Sequence, residues 1–536
     1  MSSPTRRAFL KTIGRAGLFY AASPVANAIG TSNDDTVQIS IIHTTDLHGH
    51  ILPTSDYAGN GDLGGFARCA TQIKRWRRQN RNSILIDIGD VYQGTDVSFR
   101  TNGALMIALF NHLKYDAWIV GNHEFDWGVE TFASAVAKSA MPVLAANMSI
   151  EGKSSGEIST NPFAKVQPYV LREFDRIKIA IIGITTPGMP FWFRREFVRG
   201  FDFEYSVEPV RRALNRAKSE GADAIVLAGH MGLKPRSGGD DFANNVVALT
   251  VEFPETIAFI AGHTHQLIPS HLTNGVVITQ ADHFGIHIGR LDLRFDRASK
   301  KLLRREAYCE RMDNRVPFDH AVVSRAKPQL DESASALREP IGILAETLHA
   351  RGRPGEPSEV EALIGAAIME ALRARGVTVD GAMHGVFDER NNFLAGPKAV
   401  NDIWTLIPFE NYLVTAELST DDIKAIMEEV YASREPRNLL GFEIETEGRG
   451  YERRITGLRL AGGRDLERDQ RYPIAFNTFD SRSAGHRFMK LRALLETPAT
   501  RCAFHPVQTR EAMIDYFRRH SPVHKITLQE DTVAMT

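Results

Sequence analysis

Five short motifs place side chains of metal-binding type along the first half of the chain: Asp46-Leu47-His48, Gly89-Asp90, Gly121-Asn122-His123-Glu124, Gly229-His230 and Gly262-His263-Thr264-His265. Imidazole and carboxylate together suit borderline divalent ions such as zinc, manganese and iron. The set Asp46, His48, Asp90, Asn122, His230, His263 and His265 is larger than one tetrahedral ion can use. Two ions sharing a carboxylate would use it well. A pair held about 3.5–4 Å apart activates a bridging water for in-line attack at phosphorus. The expectation is two divalent cations (Mn2+, Zn2+ or Fe2+), with the donor set not choosing among them. Glycine precedes four of the five groups, where the backbone must turn sharply and approach its neighbours closely.

The elements that must position these groups read as alternating strands and helices. Short apolar runs at Val37–His43, Ser83–Ile88, Ala117–Val120, Val143–Ala146, Lys178–Ile184, Ala224–Ala228, Thr256–Ala261 and Gly275–Thr279 have the continuous apolar character of strands buried on both faces. Helical patterns lie between them at Gly65–Arg77, Ala104–Leu113, Val129–Ser139 and Val207–Glu220. Strand–helix alternation predicts an α/β layered domain, and in such sheets ligand sites form beyond the strand carboxyl ends. All five motifs sit there. Ile286–Phe295 alternates polar and apolar residues and reads as an antiparallel edge strand. Asp319–Leu337 reads as a linker helix broken by Arg338-Glu339-Pro340-Ile341-Gly342. Strands and helices then resume in a second, α+β domain: helices at Glu359–Arg375 and Thr420–Tyr431, strands at Gly381–His384, Arg453–Leu460 and Tyr472–Phe479. Glu151–Asn161 and Arg434–Asn438 read as surface loops from their turn residues.

The amino terminus reads as an address. Arg6-Arg7 followed by Phe9-Leu10-Lys11, an apolar run to Ala22, and Ala26-Asn27-Ala28 combine a basic head, a short apolar stretch and a small-residue cleavage site. The pattern resembles a twin-arginine leader. It predicts export to the periplasm or another extracytoplasmic space, with the twin-arginine translocon as a passing partner. No other stretch reaches the roughly 18 unbroken apolar residues of a transmembrane anchor. The 536 residues carry 64 Lys+Arg against 65 Asp+Glu, a net charge of −1. That balance excludes a broadly basic nucleic-acid binder and an acidic disordered chain, so no stable nucleic-acid complex is expected. Three cysteines exclude a disulfide framework and a zinc site of four thiolates.

D-x-H, G-D, G-N-H-E, G-H and G-H-x-H in this order resemble the calcineurin-like metallophosphoesterase superfamily over roughly 37–296. The longer run Gly121-Asn122-His123-Glu124-Phe125-Asp126-Trp127-Gly128 is similar to its bifunctional metallophosphatase/5'-nucleotidase branch. The resemblance implies an α/β fold class: a four-layer α/β/β/α sandwich at 37–296, following a leader at 1–28. A linker helix at 319–340 and an α+β 5'-nucleotidase-type C-terminal domain at 341–530 would complete the chain. It further implies that Asp46, His48 and His265 hold one ion, that Asn122, His230 and His263 hold the other, and that Asp90 bridges them. His123 would face the phosphoryl group as a charge stabiliser or acid, oriented by Asp126. Asn122 could also donate to a phosphate oxygen.

In the second domain, Ile407-Pro408-Phe409-Glu410-Asn411 is similar to the family's P-F-x-N element. The likeness implies that Phe409 and Phe479 sandwich a nucleobase. The arginine elements depart from the family pattern: Met383 to Arg390 stands where that pattern has a Gly-rich turn with an arginine, and Ser483-Ala484-Gly485-His486 where it has G-G-D-G. Arg351, Arg353 and Arg390 are the candidate phosphate-side arginines, and His384 and His486 have no assigned role. The implied activity is a dinuclear-metal phosphohydrolase, its bridging hydroxide attacking the phosphorus of a nucleoside 5'-monophosphate or related ester. The alternatives on the same fold are a thiosulfohydrolase-like enzyme of sulfur oxidation and a nucleotide-sugar or cyclic-nucleotide phosphodiesterase.

Overall fold

The computed structural model describes residues 35–150, 162–233, 240–435, 437–467 and 469–526. The leader at 1–28 and the loop expected at Glu151–Asn161 lie outside the described residues.

Side-chain alternation along the strands explains how the first domain is layered. In the strand Thr36–Thr44, Ile39 and Ile41 point one way and Ile42 the other; in Ser83–Asp87, Ile84 and Ile86 oppose Leu85. Ile177–Ile184 repeats the pattern, with Ile179 and Ile181 on one face and Ala180 and Ile182 on the other. Each sheet therefore has two apolar faces, as a strand period of two requires. The faces carrying Ile39, Ile84, Ile179 and Val226 pack on one another. The outer faces are covered by helices Phe66–Gln79, Ala104–Leu113 and Gly128–Lys138 on one side, and by Val207–Ser219 and Val246–Glu252 on the other. The result is the expected four-layer α/β/β/α sandwich.

One sheet runs, in spatial order, Leu302–Arg311, His287–Asp296, Thr36–Thr44, Ser83–Asp87, Ala117–Ile119, Val143–Leu144 and Val166–Gln167. The other runs Leu267–Thr273, Val276–Ala281, Ala258–Ala261, Ala224–Gly229, Ile177–Ile184 and Tyr169–Phe174. Thr36–Thr44, Ser83–Asp87 and Ala117–Ile119 pair in parallel, as do Ile177–Ile184, Ala224–Gly229 and Ala258–Ala261. Their carboxyl ends consequently open onto one rim. The segment expected as an edge strand, Ile286–Phe295, is antiparallel but interior. Leu302–Arg311 lies outside it, in register Leu291↔Ala307. That outer strand escapes a hydropathy reading because its exposed face carries charges, as in Arg304 and Glu306.

Asp319 caps the helix His320–Leu337, its side chain accepting from the Val322 amide at 3.1 Å. Pro340 does end the helix, but Pro340–Leu344 continues as a strand paired with Gly396–Ala399. The second domain centres on a five-stranded sheet ordered Leu439–Leu440, Gly381–Met383, Arg471–Asn477, Tyr412–Ser419 and Ala503–Gln508. Glu359–Arg373 and Thr509–His520 cover one face and Thr420–Ala432 the other.

Two sequence expectations fail in this domain. Phe479 does not end a strand: Asn477 caps a short helix, Thr478–Ser481, by accepting from the Asp480 amide at 2.7 Å. Arg434–Asn438 is not wholly a surface loop: Arg437 and Asn438 are buried, and Asn438 donates its backbone N–H to Glu361. Among the described residues no helix is long and apolar enough to cross a membrane.

Candidate metal centre and substrate cleft

The rim receives Asp46, His48, Asp90 and Asn122 from the first sheet and His230, His263 and His265 from the second. The strand ends are so crowded that Asp46, His48, Asp90, His263 and His265 all take left-handed φ values, between 47° and 70°. Non-glycine residues rarely adopt these values, and their concentration marks backbone held under constraint at a site. Gly121 meets the same crowding from the other side: a Cβ there would collide with the backbone nitrogen and Oδ1 of Asp90.

The ligand atoms form two triads, Asp46–His48–His265 and Asp90–His230–His263, each within 4.8 Å of one another. The hydrogen bonds assign the tautomers. His48 Nδ1 donates to the Gln93 carbonyl at 2.6 Å, and His230 Nδ1 donates to the Ile88 carbonyl at 2.7 Å. Both Nε2 atoms are left to face the centre. There, His48 Nε2 meets His265 Nε2 at 3.1 Å, and His230 Nε2 meets Asn122 Oδ1 and Asp90 Oδ2, each at 3.1 Å. Electron pairs so opposed need a cation or a proton between them. Two divalent cations fit this donor set.

Asp90 divides its carboxylate between roles. Oδ1 accepts the His123 backbone N–H at 2.8 Å, while Oδ2 lies 3.1 Å from His230 Nε2 in one triad and 3.8 Å from His48 Nε2 in the other. Asp46 is oriented by the His263 backbone N–H, 3.1 Å from Oδ1 and 3.0 Å from Oδ2, and by the Thr45 hydroxyl at 2.5 Å. Burial pushes His263 down to about 3 and His48 well below the ordinary histidine range, so both are neutral and able to ligate. His230 behaves oppositely. Burial disfavours its charge, yet the Asp90 carboxylate outweighs burial and raises it to about 9.

His123 stands outside the triads. Its Nδ1 lies 2.6 Å from Asp126 Oδ2, and its ring stacks on Phe409 with centroids 5.8 Å apart. Burial works against the imidazolium, but Asp126 and then Asp90 overcome it and raise His123 to about 10. The ring opens onto a cleft of about 920 Å³ between the two domains. Asn122, His263, Phe409, Phe479 and Arg390 also line this cleft. Arg390 is exposed and tied to Asp388 at 2.8 Å. Arg351 and Arg353 are exposed and are not among the residues that line the cleft; Arg353 lies 3.8 Å from Glu356. Of the two unassigned histidines, His384 lines the cleft, whereas His486 stacks on Phe242 across the domain boundary.

Residues 39–267 match the calcineurin-like phosphoesterase family, and residues 340–492 match the 5'-nucleotidase C-terminal domain. The chain joins these two domains. The trifunctional nucleotide phosphoesterase protein YfkN of Bacillus subtilis is 26% identical over 57% of this chain and 23% of its own length. Snake venom 5'-nucleotidase of Crotalus adamanteus is 30% identical over 53% of this chain and 48% of its own length. The chain thus spans less than half the length of either relative. The crystal structure of a 5'-nucleotidase precursor from Thermus thermophilus shares the fold, with a TM-score of 0.66 at 21% identity over 90% of this chain and 96% of that one.

Several residues that shape the candidate metal centre and the cleft were not singled out from sequence. Glu124 is fully buried and ties two motif loops together, accepting from the amides of Gly121 (2.7 Å), Val91 (2.8 Å) and Asp90 (3.1 Å). Its place inside the Gly-Asn-His-Glu run is the only local signal. The Tyr57 hydroxyl lies 2.7 Å from His265 Nδ1 and helps fix that ring, whose Nε2 lies 3.4 Å from Asp46. In the second domain, Arg510 frames Phe409, donating to the carbonyls of Ile407 and Pro408 at 2.7 Å each and lying 3.6 Å from Glu410. Asn411 Oδ1 accepts from the Thr478 hydroxyl at 3.0 Å and the Phe479 amide at 3.1 Å, which ties the two aromatic positions to one frame. Trp192 reaches the cleft from the first domain, its ring 5.0 Å from that of His263.

Proposed function

We propose that this chain is an exported dinuclear-metal phosphohydrolase acting on nucleoside 5'-monophosphates or closely related phosphate esters. The observation that carries the reading is the pair of ligand triads meeting at Asp90 Oδ2, beside a carboxylate-held histidine and at the mouth of an aromatic cleft. Asp46, His48 and His265 would hold one cation, and Asn122, His230 and His263 the other, with Asp90 common to both. When bound, the cations would supply the charge that neutralises the phosphoryl oxygens and activates the attacking water.

The remaining work falls to the protein's own side chains. Asp126 accepts the Nδ1 proton of His123 and keeps the imidazolium charged, so the face turned to the cleft can give a proton to the departing oxygen. Asn122 can donate to a phosphate oxygen through its amide nitrogen. Phe409 and Phe479 offer apolar rings to a base, and Arg390 a guanidinium at the rim. Arg351 and Arg353 stay candidates for a substrate-side role only if the domains move to bring them in. Export rests on the Arg6-Arg7 leader, and mass spectrometry of the amino terminus after expression in a twin-arginine-competent host tests it.

The activity is tested by loading the full chain with Mn2+, Zn2+ or Fe2+ in turn. Phosphate release is then followed from nucleoside monophosphates, nucleotide sugars, cyclic nucleotides and simple aryl phosphates. Preferential release from 5'-monophosphates supports the reading. Preference for the diesters, or sulfate release from a cysteine-bound sulfur adduct without phosphatase turnover, contradicts it.

A further inference from the structure

Two of the triad imidazoles are anchored from inside the protein. His48 Nδ1 reaches the Gln93 carbonyl and His230 Nδ1 the Ile88 carbonyl, and both rings are buried. His265 is anchored from outside. Its Nε2 lies 3.1 Å from His48 Nε2 and 3.4 Å from Asp46 Oδ1, on the ligand side of the ring. The proton then sits on Nδ1, and its acceptor is the Tyr57 hydroxyl oxygen at 2.7 Å. Tyr57 is 47% exposed and the His265 side chain 18%. The Asp46–His48–His265 triad is therefore closed by side chains that solvent reaches, whereas Asp90 and His230 of the other triad are sealed.

The loop that carries Tyr57 presents it in a fixed pose. Thr54 and Leu63 exchange backbone hydrogen bonds at 2.8 and 3.0 Å, and Arg68 holds the Asp62 carboxylate at 2.8 Å. Inside this closure, Asp56 Oδ1 accepts from the amides of Ala58 and Asn60 at 2.9 and 2.8 Å. The Tyr57 ring lies on the His283 ring, centroids 4.3 Å apart and 13° from parallel, and Asp282 fixes His283 through Nδ1 at 2.5 Å. Ring and hydroxyl thus have separate partners, His283 for the one and His265 for the other. Residues 58–62 beyond the ring are exposed, so the loop tip can lift away while the sheets stay packed. A group hydrogen-bonded behind a metal-ligating imidazole fixes its orientation and alters metal affinity by about 10–100-fold.

We propose that Tyr57 is a positioning residue: its hydroxyl holds His265 toward Asp46 and His48, and loop 54–63 thereby makes the cation of that triad the exchangeable member of the pair. This rests on the two-cation reading above. The cation beside His230 has no comparable exit, because its imidazole is anchored on a backbone carbonyl in the interior.

Metal release from the full chain tests the assignment. The chain is loaded with Mn2+, its metal content is counted, and release into an excess of a chromogenic chelator is timed. Two phases are expected, one cation in each. Tyr57→Phe keeps the stack on His283 and removes only the hydroxyl, so it should quicken the fast phase about tenfold and leave the slow phase unchanged. His265→Ala should remove the fast phase, which places that phase at His265; Tyr57→Phe carries the test if His265→Ala does not fold. Release of both cations in one phase, a fast phase unmoved in Tyr57→Phe, both phases quickened alike, or a fast phase that survives in His265→Ala overturns the positioning role and leaves the two-cation reading standing. A chain that takes up fewer than two cations overturns both.

Discussion

Binding a divalent cation at the Asp90–His230–His263 triad should expel a proton, because His230 carries one when the cation is absent. Burial alone would strip that charge; Asp90 Oδ2 at 3.1 Å outweighs it and raises His230 to about 9. The Nδ1 hydrogen is committed to the Ile88 carbonyl, so the proton that must leave is the one on Nε2, where the cation binds. Ligation requires the neutral ring. Metal affinity should therefore rise with pH up to about 9 and level off above it. Below that point each pH unit costs about tenfold, so pH 7 lies about 100-fold, or about 2.7 kcal/mol, beneath the plateau. His263 and His48 are already neutral in this range and add no slope. Calorimetric titration of Mn2+ into the metal-free full chain, repeated in buffers of different ionisation enthalpy, counts the protons. Close to one proton per centre at pH 7 is expected, with affinity rising about tenfold per unit between pH 6 and 8. A flat affinity over that range with no proton released would refute the assignment.

Three other outcomes follow from the same geometry. His123→Ala should lower turnover about 10²–10⁴-fold while both cations stay bound, measured as kcat beside metal content; loss of metal would make His123 a ligand instead. Asp126→Asn removes the charge that holds the His123 proton, so the basic limb of the kcat–pH profile should move to lower pH; an unmoved limb would deny Asp126 that part. Phe409→Ala should raise KM for nucleotides about tenfold while changing KM for a small aryl phosphate little, and equal changes on both would mean Phe409 is packing only.

The candidate metal ligands are legible in the chain because each sits in a two- to four-residue motif directly after an apolar strand. Asp46 and His48 follow Thr36–Thr44 and His263 and His265 follow Ala258–Ala261, so strand order alone sends them to one rim. The apolar runs at Ile84–Ile88 and Ile179–Ile184 likewise announce strands buried on both faces. Elements with one wet face are harder to read: Leu302–Arg311, full of arginine and glutamate, gives no strand pattern and so hides the true sheet edge.

The cleft is less legible still, since its supports act over long separations. Arg510 frames a loop 103 residues earlier, and Tyr57 meets His265 across 208 residues. Nothing local in either neighbourhood announces the contact. Arg351 and Arg353 fail to reach the cleft for the converse reason: a charged residue type says nothing about which way its loop faces.

The central claim is that one carboxylate serves two cations. Anomalous diffraction from crystals of the full chain grown with Mn2+ tests it most directly. The account predicts two peaks about 3.5–4 Å apart. One should lie among Asp46, His48 and His265, the other among Asn122, His230 and His263, with Asp90 touching both. A single peak, or two that do not share Asp90, would contradict it.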